Sequence, residues 1–131
     1  MRSVRAFLLG AAIVLLAGRN APAMTSGELL QSCEAVVTTA SDAIDDSIDI
    51  SPAGLRCWYY MSAIQNMSVV VDQSGEHLLG ICAPPDTTLL DYVRIFVRYG
   101  RINKAKSEGN AAALALGSLT KAFPCGGAKG V

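Results

Sequence analysis

The sequence is poor in residues that carry out acid–base or nucleophilic catalysis. Its only histidine is His77. General acid–base catalysis needs a base within hydrogen-bond reach of its partner, and His77 lies in a loop-like stretch without a nucleophile motif such as G-x-S-x-G. Phosphate-binding glycine loops are also missing, because Gly126 and Gly127 follow a predicted helix instead of beginning one. The sequence therefore predicts a protein that is not an enzyme.

Metal-binding patterns are absent as well. The four cysteines form no C-x-x-C pair and no cluster with His77, so a zinc site is not indicated. The stretch 41–51 is rich in aspartate, but it lacks the alternating acidic ligands and the central glycine of a calcium-binding loop. A solvated acidic loop or helix end is the simpler interpretation, and negative charge offered to a protein partner is the alternative. No cofactor is predicted.

Long apolar runs are confined to the N-terminus. Arg2 and Arg5 precede an apolar run at 6–18, and Ala-Pro-Ala at 21–23 supplies the small residues that signal peptidase requires. A helix of this length rises about 20 Å, less than the ~30 Å hydrocarbon core, which argues against an uncleaved membrane anchor. We therefore expect residues 1–23 to be a cleaved signal peptide and the mature protein to be secreted.

Neither sign of charge dominates. The sequence has 11 Lys and Arg against 11 Asp and Glu, and loss of Arg2, Arg5 and Arg19 with the signal peptide would leave a net charge of about −3. Such a balance argues against nucleic acid or an anionic membrane as the main partner. The charge is nevertheless unevenly placed, which is compatible either with two solvated loops or with protein binding. The candidate partner-binding residues are Asp42, Asp45, Asp46, Asp49, Arg98, Arg101, Lys104 and Lys106.

Strands are not predicted, because no stretch alternates strongly with period two. Thr25 and Glu28 have the spacing of a capping box at the start of a first helix. This helix should fade near Ala40. One face of the helical pattern carries Leu30, Cys33, Val37, Ala40 and Ile44.

The second helix should begin at Ser51-Pro52, where proline follows a good N-cap residue. It is expected to run to about Asp72. Its apolar stripe, which is expected to belong to the core, consists of Cys57, Tyr60, Met61, Ile64, Met67 and Val71.

The third and fourth helices are predicted to form a hairpin. Thr88 caps the third helix with Asp91 at N3, and Gly100 is its expected C′ residue. The fourth helix begins between residues 107 and 110 and ends before Pro124. The predicted fold is therefore all-α: a small four-helix domain of two helical hairpins over residues 24–125, with a disordered tail at 126–131.

Four cysteines after a secretion signal predict two disulfides. Cys82 and Cys125 lie at the open end of the second hairpin, and Cys33 and Cys57 lie on the predicted inner faces of the first. The crossed pairings would force ends of different hairpins together, so 33–57 and 82–125 are preferred. In the chain-entropy model each bond would stabilise the fold by roughly 3 to 4 kcal/mol.

Five segments of the mature chain form a recognisable series: Cys33, CWYY at 57–60, CAPPDTT at 82–88, VRIFVRY at 93–99 and AFPC at 122–125. In this order they resemble the Tai/Rap family of type VI secretion immunity proteins. Members of that family have a Cys-x-Pro-x-x-x-Thr entry, an alanine-rich helix and a terminal Phe-Pro-Cys. The resemblance extends over nearly all of the mature chain.

The resemblance implies a periplasmic, all-helical protein, often a homodimer, that binds and blocks a peptidoglycan amidase delivered by neighbouring cells. Two segments depart from the family pattern: the connector 100–109 lacks a His-Pro-type start, and the acidic segment 42–49 is longer than usual. Because an inhibitor reaches its target through loops, these departures concern the identity of the target. The alternative function is a periplasmic helical interaction or chaperone-like protein without a toxin partner.

Overall fold

The structure, a computed structural model, describes residues 22–42, 50–103 and 108–126. Within these residues the backbone forms α-helices and isolated β-bridges but no strand, so the predicted all-α class is confirmed. The helices are α1 (Ser26–Asp42), α2 (Pro52–Ser68), α3 (Leu89–Ile102) and α4 (Ala111–Ala122). The signal-peptide prediction up to residue 21, the segments 43–49 and 104–107, and the tail 127–131 lie outside the described residues.

The predicted capping boxes of α1 and α3 are both formed. The Glu28 carboxylate accepts the backbone N–H of Thr25 at 2.8 Å, and the Thr25 hydroxyl accepts the N–H of Glu28 at 3.2 Å. Thr88 and Asp91 make the same reciprocal pair, at 2.9 Å and 3.2 Å. Each box satisfies backbone donors that a helix start leaves unpaired, so the sequence signal for both helix starts is local.

α1 and α3 form the centre of the domain. Each packs against all three other helices, whereas α2 and α4 flank this pair and make few contacts with each other. The apolar faces meet in one core, in which Leu29, Met61, Tyr92, Phe96 and Leu119 are among the largest fully buried side chains. The arrangement is the predicted one, two hairpins packed face to face.

Backbone hydrogen bonds join the starts of α1 and α4. The N–H of Ser26 donates to the Gly109 carbonyl at 2.7 Å, and the N–H of Ala111 donates to the Met24 carbonyl at 3.1 Å. The buried Ser26 hydroxyl donates to the carbonyls of Gly109 and Asn110, both at 3.0 Å. The connector between α3 and α4 is thereby held against the first hairpin at its C-terminal end.

Both preferred disulfides are present. Cys33 is joined to Cys57 with an S–S distance of 2.03 Å, and Cys82 to Cys125 with 2.07 Å. The first pair is fully buried between α1 and α2, whereas Cys125 is exposed. Beside the second pair, the N–H of Cys82 donates to the Phe123 carbonyl at 2.9 Å. Each hairpin thus carries one covalent link, as predicted.

Gly100 is not the C′ residue of α3, as the sequence suggested. The helix continues to Ile102, and Asn103 caps it. Gly100 is buried inside the helix, and a Cβ added there would lie 2.8 Å from Leu30 Cδ1. A glycine in this position lets α1 and α3 approach closely. The sequence does not distinguish it from a glycine that ends a helix, because both positions favour glycine.

The inner face of α1 differs from the prediction at two positions. Cys33 is fully buried as predicted, but Leu29 and Val36 are fully buried where Leu30 and Val37, which are only partly buried, were expected. Both pairs fit a 3.6-residue period. The choice between them depends on how α2 and α3 approach, which periodicity does not specify.

α2 is shorter than predicted and less buried. It ends at Ser68, with Val69 as the C-cap, and does not reach Asp72. The expected core residues Met67 and Val71 are 54% and 48% exposed. Periodicity predicted a buried stripe correctly as far as Ile64, but it could not show that none of the described helices covers the rest.

Candidate protein-binding surfaces

The outer face of α3 carries a row of three arginines. Arg94, Arg98 and Arg101 are exposed, at steps of four and three residues, while Val93 and Phe96 on the opposite face are buried. The strong amphipathicity of α3 fixes this orientation. The predicted binding residues Arg98 and Arg101 therefore share one accessible surface.

Arg101 is partly neutralised by α1. Its Nε donates to Glu34 Oε1 at 2.9 Å, and both side chains are well exposed, at 54% and 40%. A pair this exposed contributes little to stability, typically 0 to 1 kcal/mol. Arg98 forms no ion pair with any described residue. Of the two predicted arginines, Arg98 is the one whose charge is available to a partner.

Arg98 borders a groove between α3 and α4. We name it the α3–α4 groove; its volume is about 270 Å³ and it is lined by Ile95, Arg98, Tyr99, Ile102, Ser118, Lys121 and Ala122. The Lys121 ammonium lies 5.8 Å from the centre of the Tyr99 ring, within cation–π range. Ile102 is 79% exposed at the end of α3. The groove thus combines two cations with an apolar floor.

Sequence reasoning missed Lys121 and Ile102. A signal for Lys121 existed, because an antiparallel α3–α4 hairpin brings the last turn of α4 beside the middle of α3. The ring contact between Tyr92 and Phe123, at 5.7 Å, marks the same antiparallel register. Ile102 falls in the predicted connector because Gly100 is the predicted C′ residue of the helix.

The remaining candidate residues are not tested by the structure. Asp42 is the last residue of α1, and its side chain is not described. The other predicted residues outside the described ranges are Asp45, Asp46, Asp49, Lys104 and Lys106. The structure therefore brings together the two arginines, and the acidic segment stays a prediction.

His77 has a structural role at the C-terminus of α2. Its Nδ1 lies 2.6 Å from the carbonyl oxygen of Ser68 and donates to it. The Ser68 hydroxyl donates to Gln65 O at 2.7 Å and lies 3.0 Å from the buried Tyr92 hydroxyl. These groups line a cleft of about 290 Å³ beside the entry to α3. His77, which the sequence places in a loop-like stretch, therefore caps a helix end.

A tight turn at 70–78 follows α2. The Asp72 carboxylate accepts hydrogen bonds from Ser74 N at 2.7 Å, Ser74 Oγ at 2.6 Å and Glu76 N at 3.0 Å. These bonds hold the pKa of Asp72 below its ordinary value. The bridge between Val71 and His77 closes the turn. The turn carries exposed apolar side chains, of which Leu78 is 60% exposed.

Among the described residues, no cluster of His, Cys, Asp and Glu could hold a metal ion. No helix in the described part of the chain is both long and apolar enough to cross a membrane. What the described surface offers is a basic, partly apolar groove and exposed apolar side chains on α2. These are features of a protein that acts by binding other proteins.

Comparison with known proteins identifies the family to which the chain belongs. The family model of the Rap1a immunity proteins matches residues 25–125, from the N-cap of α1 to the last cysteine. The chain belongs to the Rap1a immunity protein family. Membership implies a protein that binds an effector protein, and such families are normally non-enzymatic. No curated protein and no solved structure matches the chain.

Proposed function

We propose that the chain is a periplasmic immunity-type protein that binds and inhibits a peptidoglycan amidase delivered as a type VI secretion effector. Membership of an immunity family supports the inhibitory role. The N-terminal pattern of a basic start, an apolar run and Ala-Pro-Ala supports export. Two disulfides support an oxidising compartment, because such bonds are rare in proteins of a reducing cytosol.

The observation that carries the proposal is the α3–α4 groove. An inhibitor has to present a preorganised surface, since ordering a flexible one on binding costs affinity. The groove lies on a hairpin linked by Cys82–Cys125 at one end and hydrogen-bonded to the first hairpin through Gly109 at the other. Arg98 and Lys121 offer positive charge at its edge, and Ile102 offers apolar area. The fitting partner surface is an acidic rim around an apolar cleft.

Binding of the amidase to an Arg98→Glu variant tests this assignment. The partner to use is an amidase effector encoded beside this chain, and the dissociation constant is measured by calorimetry. Removal of an arginine at a well-packed contact typically costs about 1 to 3 kcal/mol, so we expect binding to weaken by roughly 5- to 150-fold. Because Arg98 is exposed, the melting temperature should not change.

The matched control is Arg94→Glu. Arg94 lies one turn earlier on the same exposed face and does not line the groove. Its charge reversal should slow association only mildly, as expected for a charge outside the contact. Equal losses for the two variants would show that the groove is not the contact surface.

A further inference from the structure

A cleft lies between the C-terminal end of α2 and the entry to α3, and we name it the His77 cleft. Its volume is about 290 Å³, and it shares no lining residue with the α3–α4 groove. This volume is near the lower end of small-molecule pockets, so the cleft has room for one side chain or one small molecule.

Hydrogen bonds hold the walls of the His77 cleft in place. The N–H of Leu78 donates to the Val70 carbonyl at 3.0 Å and closes the turn that carries His77. The side-chain Nε2 of Gln65 donates to the Thr87 carbonyl at 3.4 Å and joins α2 to the entry of α3. The cleft is therefore preformed, which lowers the cost of binding a ligand.

The polar groups of the cleft leave hydrogen-bond acceptors unused. The Ser68 hydroxyl donates its single proton to the Gln65 carbonyl at 2.7 Å, so in its 3.0 Å contact with Tyr92 the tyrosine hydroxyl is the donor. Tyr92 Oη then keeps its lone pairs, and no described residue donates to them. His77 donates from Nδ1, so in the neutral ring Nε2 is a second acceptor, also without a donor among the described residues.

The remaining wall of the cleft is apolar. It is formed by Val69, Ile81, Ala83, Pro84 and Pro85. The two prolines have no backbone N–H, so they add no donor to this wall. The cleft thus offers acceptors beside an apolar surface.

The surroundings of the cleft are acidic. Residues 57–93 include no Lys or Arg, whereas their acidic residues are Asp72, Glu76, Asp86 and Asp91. Glu76 directly precedes His77, and Asp86 stands between two lining residues. Both are exposed, and neither forms an ion pair with any described residue. The local charge therefore favours a cation and disfavours an anion.

We propose that the His77 cleft binds a primary ammonium group carried on a short apolar stem. Tyr92 Oη and His77 Nε2 accept hydrogen bonds from the ammonium group, which has three donors and no acceptor. Glu76 and Asp86 supply the countercharge, and the stem packs on the apolar wall. A guanidinium group fits less well, because it would leave more of its five donors unpaired.

Two sources carry this chemistry: a free alkyl amine and the lysine side chain of a partner protein. NMR titration of the untagged, oxidised chain, with no effector present, distinguishes them. His77 is the only histidine in the sequence, so the signal of its ring nitrogen is unambiguous. The probes are n-butylammonium and a lysine blocked at both main-chain ends, with butyrate and n-butanol as controls at equal ionic strength.

We expect a saturable shift of the His77 ring signal with n-butylammonium, none with butyrate and a much weaker response to n-butanol. Saturation by the blocked lysine as well would assign the cleft to a protein side chain, and saturation by n-butylammonium alone would assign it to a free amine. No saturable shift with either amine overturns the proposal, as does equal binding of n-butanol.

Variants identify the groups that hold the ammonium. Tyr92→Phe removes one acceptor and should weaken n-butylammonium binding roughly 10-fold. Glu76→Gln removes a charge from an exposed residue and should weaken it about 2- to 5-fold without affecting folding. The control Glu108→Gln makes the same change at an exposed residue beyond the other end of α3 and should have no effect.

Unchanged binding by both Tyr92→Phe and Glu76→Gln would overturn the assignment. None of these results bears on effector binding, which is measured separately at Arg98 in a different groove.

Discussion

Glycines show most clearly how single residues shape this fold. Gly54 is buried where α2 meets α1, and a Cβ added there would lie 2.8 Å from Val36 Cγ2 and 3.3 Å from Ile50 Cγ2. Val36 is fully buried and, as a β-branched residue in a helix, has one strongly preferred rotamer. The neighbouring side chain therefore cannot move aside easily.

Gly54→Ala should destabilise the protein by about 1 to 2 kcal/mol, because overpacking outweighs the gain in helix propensity. Gly117→Ala is the matched control. A Cβ at Gly117 in the middle of α4 would meet nothing within 4 Å, so this change should stabilise by about 0.5 to 1 kcal/mol. Chemical denaturation of both variants measures the difference. Destabilisation by Gly117→Ala would contradict the packing described here.

Residue identity alone predicted some of these roles and not others. The cysteine pairing followed from which helix ends meet, and it is correct. Gly100 was misread because a glycine near a helix end and a glycine at a close helix crossing look the same in sequence. Only the approach of Leu30 from another helix distinguishes the two.

At the scale of the helices, the N-termini are specified by local sequence. Thr88 and Asp91 form their capping box within four residues, and Thr25 and Glu28 do the same. Hydrogen bonds from Thr88 hold the pKa of Asp91 below its ordinary value of 3.8. The stabilisation from this carboxylate is therefore fully present above the unfolded-state pKa and is lost as the pH falls through the lower folded-state pKa.

Asp91→Asn should accordingly cost about 0.5 to 1 kcal/mol at neutral pH, a typical capping contribution at an exposed helix start. The difference between wild type and variant should shrink as the pH falls below about 4, where the wild-type carboxylate becomes protonated as well. Urea unfolding at several pH values measures this difference in the free energy of unfolding. The control is Asp86→Asn, which makes the same change at an exposed aspartate. A difference that grows in acid would show that the hydrogen bonds favour the protonated form.

Helix faces were less predictable than helix starts. Both Leu29 and Leu30 fit the period of α1, and burial of Leu29 depends on the direction from which α2 and α3 approach. On α2, Met67 fits an apolar stripe but is exposed. Periodicity identifies apolar rows; whether the same chain covers a row is decided by tertiary structure.

At the scale of the whole molecule, the two disulfides differ in accessibility. Cys33 and Cys57 are both fully buried, whereas Cys125 is exposed and Cys82 partly so. A reductant has to reach a sulfur atom to break the bond. The link at the end of the second hairpin is therefore open to attack in the folded protein, and the link between α1 and α2 is shielded.

Mild reduction of the native protein should open Cys82–Cys125 first and leave Cys33–Cys57 intact until the domain unfolds. Differential alkylation followed by peptide mapping identifies which thiols appear. In the chain-entropy model, loss of the 82–125 bond alone removes about 4 kcal/mol of stability. Simultaneous appearance of all four thiols before unfolding would contradict the burial of the first pair.

The sequence also predicted the arrangement of the whole domain better than its surface. Two helical hairpins followed from four amphipathic segments and two cysteine pairs. The α3–α4 groove and the exposed apolar side chains of α2 did not, because each depends on which side chains are left uncovered after packing. Arg98 was identified from charge alone, while Lys121 needed the antiparallel register of two helices.

The most direct test of the account is inhibition of a peptidoglycan amidase by this chain. The proposed amidase partner is assayed on purified peptidoglycan while the oxidised chain is added in increasing amounts. The account predicts that hydrolysis falls in proportion to the added chain and stops when every amidase molecule is bound, and that Arg98→Glu shifts the inhibition to higher concentration. Full hydrolysis in the presence of excess chain would contradict it.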